Sequence, residues 1–128
     1  MKKLLAVFAC LLLLATGLFG QGPTGRAVTQ TGALTTGVTV NSDTGVITTV
    51  SATTAALGNA TFTVSNSSVT AASTVLVNVQ NYAGTYTTNG TPVVAVNNVV
   101  AGAFDVKVLN VHTSNALAGV LQIGFVVR

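Results

Sequence analysis

From residue 27 onward, apolar side chains fall on every second position, in short runs separated by polar turns. In Thr61-Phe62-Thr63-Val64 the Phe and Val point one way and the threonines the other, because successive strand residues face opposite sides. Val75, Val77 and Val79 share a face by the same rule, as do Phe104, Val106 and Val108. In the last run Leu121, Ile123, Phe125 and Val127 stand together, opposite Val120, Gln122, Gly124 and Val126. This period of two predicts strands over 27–31, 37–41, 46–50, 60–65, 74–80, 92–99, 103–111 and 119–127. Valine and threonine dominate them, and β-branched residues suit a half-buried pleated surface.

Short strands at regular spacing predict an all-β chain folded as a single antiparallel β-sandwich, jelly-roll or immunoglobulin-like in strand order. Each inward Val or Phe should stabilise it by about 1.5–3 kcal/mol relative to exposure. The second face of the last strand keeps Val120 and Val126, so that strand is expected to be covered on both sides, with a neighbouring subunit as one source of cover. Asn41-Ser42-Asp43-Thr44-Gly45 reads as a hairpin with Gly45 in a left-handed position. Asn89-Gly90 is a strong two-residue turn signal and leads into Pro92, which is tolerated as the first residue of a strand. The segment 51–59 has helix-compatible alanines but no caps, and reads as an irregular crossover.

The first twenty residues follow a different pattern. Met1-Lys2-Lys3 is basic, the run from Leu4 to Ala15 is apolar, and Thr16-Gly17-Leu18-Phe19-Gly20 closes it with small residues. A basic tip, an apolar stretch and a small-residue exit describe a secretory signal peptide, with cleavage after Gly17, Gly20 or Gly22. A membrane span needs about 20 apolar residues, so a retained anchor is the alternative. The expected layout is a leader at 1–20, a linker or arm at 21–26 and the sandwich at 27–128. Cys10 lies inside the leader, which leaves the remainder without cysteine and therefore without disulfides. The expected location is extracellular or on the cell surface, with membrane contact only through the leader.

Beyond the leader the charged residues are Arg26, Lys107 and Arg128 against Asp43 and Asp105, a formal net charge of +1. With no cluster of basic residues to neutralise phosphates, nucleic-acid binding has no electrostatic basis. So little charge also removes the usual protection against self-association.

The same scarcity limits chemistry. A zinc site needs three or four protein ligands, and His112 is the only histidine, so no metal or other cofactor is expected. No serine sits in a nucleophile-elbow motif, and no glycine-rich phosphate loop is present. Asp43 is explained by its turn, and Asp105 by an ion pair with Lys107 two residues on along the same face. His112 reads as a hydrogen-bonding residue beside a turn. The chain is accordingly expected not to be an enzyme. Tyr82 and Tyr86, in Asn81-Tyr82-Ala83-Gly84-Thr85-Tyr86, form a candidate contact loop; the alternative is that they pack down as loop anchors. Sequons occur at Asn59, Asn66 and Asn89, in a chain rich enough in Asn, Ser and Thr for these to arise by chance.

Several stretches carry a resemblance. They are Ala27-Val28-Thr29-Gln30-Thr31, Thr36-Gly37-Val38-Thr39-Val40-Asn41, Gly45-Val46-Ile47-Thr48-Thr49, Thr61-Phe62-Thr63-Val64-Ser65-Asn66-Ser67 and Thr74-Val75-Leu76-Val77-Asn78-Val79. The run from Ala101-Gly102-Ala103-Phe104-Asp105-Val106 through Asn110-Val111 to Ile123-Gly124-Phe125-Val126-Val127 completes the set. In their order and spacing they resemble a family of small tailed-phage virion proteins of the decoration or fibre type. The resemblance implies a small sandwich subunit located on a virion, with no catalytic residues to carry over; the export leader departs from that pattern. The expectation is a non-enzymatic structural subunit whose partners are copies of itself and a virion or cell-surface scaffold. The alternatives are an exported filament subunit joined by donor-strand exchange through residues 21–36, and a carbohydrate- or receptor-binding module using Tyr82 and Tyr86.

Overall fold

The computed structural model describes residues 25–128; the expected leader and residues 21–24 of the expected arm lie outside them. Eight strands form, in chain order β1 (Arg26–Thr29), β2 (Val38–Thr39), β3 (Thr44–Ala52), β4 (Asn59–Ser65), β5 (Val75–Tyr82), β6 (Pro92–Val100), β7 (Ala103–Asn110) and β8 (Gly119–Val127). They make a β-sandwich of two four-stranded sheets, β1-β3-β8-β5 and β2-β4-β7-β6. The six long strands pair antiparallel. The short β1 and β2 add in parallel to β3 and β4.

The alternating residues set the inner faces. Phe62 and Val64 of β4, and Phe104, Val106 and Val108 of β7, are buried from one sheet. Ile47 of β3, with Leu121, Ile123 and Phe125 of β8, is buried from the other. Phe104 and Phe125 meet across the layers, their ring centroids 5.7 Å apart. A bulge between Thr48 and Ser51 lets β3 run for nine residues. Buried Thr49 serves that irregularity: its hydroxyl accepts the Leu121 N–H at 3.0 Å and donates to the Val50 carbonyl at 2.7 Å.

Two turn expectations are corrected. The segment from Asn41 to Gly45 is no hairpin, because β2 lies in one sheet and β3 in the other. Turn residues reverse the chain but do not choose the sheet it joins. Here the Asn66 side chain grips Ser42, donating to its carbonyl at 2.7 Å and accepting its N–H at 3.3 Å, which carries the loop across the end of the sandwich. Gly45 is not left-handed either; among the described residues the glycines with positive φ are Gly32 (84°) and Gly102 (82°). Gly45 is needed for space, since a Cβ there would overlap the Phe125 ring and the Arg26 carbonyl. Asn89-Gly90 lies in the loop that carries the chain between sheets, from β5 to β6, and Pro92 is the first residue of β6, as expected. Among the described residues, the one connection between sequence-adjacent paired strands is β6 to β7, turning at Ala101-Gly102. The 51–59 segment is irregular between the end of β3 at Ala52 and the start of β4 at Asn59, and contains no helix, as expected.

Val120 and Val126 are half-buried on the outer face of β8, and Gly124 between them is buried. The Gln80 and Asn78 side chains lie over Gly124, so the second cover at that point comes from the chain itself.

Candidate functional site

Each end of the sandwich is closed by a buried asparagine. Asn66 continues the inner-face series Phe62, Val64, Asn66, and Asn110 continues Phe104, Val106, Val108, Asn110. Both occupy core-parity positions just where a strand gives way to a loop, and both carboxamides bond through their oxygen and their nitrogen. The Asn110 Nδ2 donates to the carbonyls of Thr54, Ala55 and Asn115 at 3.1, 3.1 and 2.8 Å. Its Oδ1 accepts the Thr91 and His112 N–H groups, both at 3.1 Å. One side chain thus holds three separate loops. At the opposite end the Asn66 side chain joins two segments, bonding Ser42 through both its nitrogen and its oxygen and accepting the Ser68 N–H at 2.9 Å. A buried amide with all its groups paired rigidifies what it touches. Sequence reasoning missed both residues, although the signal was present: an Asn at the next inward position after an apolar series.

Gln30 is a third buried amide. Its Nε2 donates to the carbonyls of Leu34 and Thr36 at 2.9 and 2.6 Å, folding the chain between β1 and β2 around itself, while its Oε1 is buried without a partner. This inward turn ends β1 at Thr29, two residues short of the expected strand.

The ionisable residues are dispersed. Asp43 sits in the loop before β3, where its backbone carbonyl accepts the Val127 N–H at 2.7 Å. Asp105 points to the outer face of β7 and accepts a 2.7 Å hydrogen bond from the Thr63 hydroxyl directly across on β4. That bond replaces the expected pairing with Lys107: residues opposite one another in a ladder are closer than residues two apart along a strand. The His112 Nδ1 accepts the N–H groups of Ser114 and Asn115 at 3.1 and 2.9 Å, the turn-side role expected for it. Among the described residues, no three His, Cys, Asp or Glu side chains come together as metal ligands would.

Tyr82 and Tyr86 are brought together, edge to face with ring centroids 5.4 Å apart. They are not equivalent. Tyr82 is buried, and its hydroxyl accepts the Ala118 N–H at 2.9 Å, which makes it the anchor of the loop. Tyr86 is 55% exposed and rests on that anchor. As a contact surface the pair therefore reduces to one aromatic ring on a fixed base.

Two further features surround the β3–β4 loop. Leu57 is the single non-glycine residue with positive φ (56°) among those described, and it is 68% exposed. Beside it runs an open groove of about 340 Å³, lined by Leu34, Thr35, Thr54, Ala55, Gly58 and Ala60 among others, with no charged residue. Of the sequons, Asn66 is buried with its Nδ2 bonded to the Ser42 carbonyl, so no glycan fits there, whereas Asn59 is exposed.

Comparison with protein families, curated proteins and solved structures finds no match to this chain.

Proposed function

We propose that this chain is a non-enzymatic structural subunit that associates with copies of itself and decorates or builds a larger particle, in the manner of the virion proteins its sequence resembles. The observation that carries this reading is how its side chains are used. The buried carboxamides of Asn66 and Asn110 are committed to locking loops, while Leu57, Leu76, Val93, Val100 and Val111 stand exposed on the resulting frame. A rigid frame with apolar surface and little charge suits assembly, where contact area replaces water on both partners. The spread of Asp43, Asp105 and His112 over separate parts of the frame fits the same reading, since acid–base catalysis needs such groups within reach of one substrate.

Light scattering on residues 21–128 across a concentration series tests it. A stable oligomer is expected. A monodisperse monomer at high concentration would remove the reading.

One observation favours a second reading, an exported filament joined by strand exchange. The arm leads to β1, a four-residue edge strand whose side chains are mostly exposed and which, among the described residues, pairs only with β3. Exchanging so short a strand for that of another copy disrupts little. Removal of residues 21–35 should then abolish polymer growth while the sandwich stays folded. Mass that keeps rising with concentration for the parent, and not for the truncated chain, would put this reading first.

A further inference from the structure

We infer that copies of this chain associate through the free edge of β6, two β6 strands pairing antiparallel about a twofold axis with Val93 of each copy opposite Val100 of the other. The inference rests on the structural-subunit reading and specifies its interface.

The two flanks of the sandwich differ. One ends in β1 and β2, four and two residues long. The other ends in β5 and β6, eight and nine residues long, each hydrogen-bonded to a neighbouring strand on one side only among the described residues. A long edge without charge is a template for another strand, and proteins that avoid such pairing place lysine or other charges there. Neither β5 nor β6 carries a charged residue.

The pattern within β6 identifies the partner. Val93 and Val100 are outward and 44% and 45% exposed. Val94 and Val99 lie one step inside them, half-buried and packed against the core. Running the strand against itself sets Val93 against the second copy's Val100, Val94 against Val99, and Ala95 against Asn98. In a regular strand, positions whose numbers differ by an odd amount face opposite sides, so this register would pair outward residues with inward ones. The bulge between Val96 and Asn98 removes the conflict. Asn98 pairs with outward Asp105, and Val99 with inward Phe104, so every one of these pairs matches face to face. The bulge that would spoil pairing with an ordinary strand is what makes β6 complementary to itself.

Charge on the adjoining strand has the right sign. Lys107 lies beside Ala95 and Asp105 beside Asn98, so each row across the interface runs from Lys107 of one copy to Asp105 of the other. Those charges are three strand spacings apart, about 14 Å, which sets orientation rather than strength. The arrangement is isologous and closes at two copies, as a twofold contact must.

The test is register-specific cross-linking. In full-length Cys10→Ser, and in parallel in residues 21–128, Val93→Cys and Val100→Cys are made singly and together. Both positions are exposed, and they lie too far apart along one strand to bond within a chain. Under mild oxidation the double variant should give a covalent dimer, and neither single variant should. An oligomer by light scattering with no cross-link in the double variant, or equal cross-linking in the singles, overturns the β6 interface while leaving self-association intact. A parent chain that is monomeric at every concentration overturns both.

Discussion

Gly90 and Asn110 occupy each other's space: a Cβ on Gly90 would overlap the Asn110 carboxamide, the group that ties three loops together at one end of the sandwich. The glycine that reads as turn punctuation in the sequence is there because a buried amide needs the room. Removing that amide orphans the Asn115 carbonyl and the Thr91 and His112 N–H groups, while the Thr54 and Ala55 carbonyls keep the N–H groups of Leu117 and Gly58. At about 1–3 kcal/mol for each buried group left unpaired, with water reaching some of them, Asn110→Ala should lose about 3–5 kcal/mol. Gly90→Ala should lose about 1–3 kcal/mol by overpacking the same point. Denaturant melts of both and of the double variant check this. The two losses should fall well short of adding, because both act on one hydrogen-bond cluster.

Gly45 and Gly124 make a contrasting pair. A Cβ on Gly45 meets the Phe125 ring, locked in the core, and the Arg26 backbone, neither of which moves cheaply. A Cβ on Gly124 meets the far ends of Gln80 and Asn78, which are free to swing into solvent. Thermal melts should show Gly45→Ala destabilised by about 2–3 kcal/mol or more, and Gly124→Ala within about 1 kcal/mol of the parent. Equal effects would mean the outer face of β8 is less adaptable than its side chains imply.

Leu57 holds a left-handed backbone conformation that costs an ordinary residue roughly 1–2 kcal/mol. Its side chain is mostly exposed and returns little packing. Glycine adopts the same conformation freely but loses more entropy on folding, so Leu57→Gly should raise stability by a net of about 0.5–1 kcal/mol. A loss of stability in a melt would show that the leucine makes contacts worth more than the strain.

The tyrosines should separate cleanly. Tyr82→Phe deletes the acceptor for the Ala118 N–H and should cost about 0.5–1.5 kcal/mol. Tyr86→Ala should leave stability within about 0.5 kcal/mol, because Tyr86 is a surface residue. If the loop binds glycans or a receptor, only Tyr86→Ala should abolish binding without a stability change. Binding measured on an array or on cells, beside a melt of each variant, decides this.

Alternation alone was enough to place all eight strands and the inner faces of β4, β7 and β8, because a period of two has one physical solution when one side must leave water. It also carried the scarcity of chemistry, since residues that are absent need no fold to be counted. Strand order was beyond it. Asn41–Gly45 and Asn89-Gly90 say that the chain reverses, whereas the sheet each strand joins depends on contacts far along the chain, such as Asn66 with Ser42 and Thr74 with Arg128. The same holds for the polar hubs. Asn66 and Asn110 were readable as asparagines at inward positions, but nothing local says which carbonyls they will meet. Tyr82 and Tyr86 are four residues apart in one loop, and only packing made one an anchor and the other a surface. The sequence determined which residues turn inward; the tertiary structure decided what they meet there, because pairing partners are chosen by the whole chain's competition for hydrogen bonds and buried area.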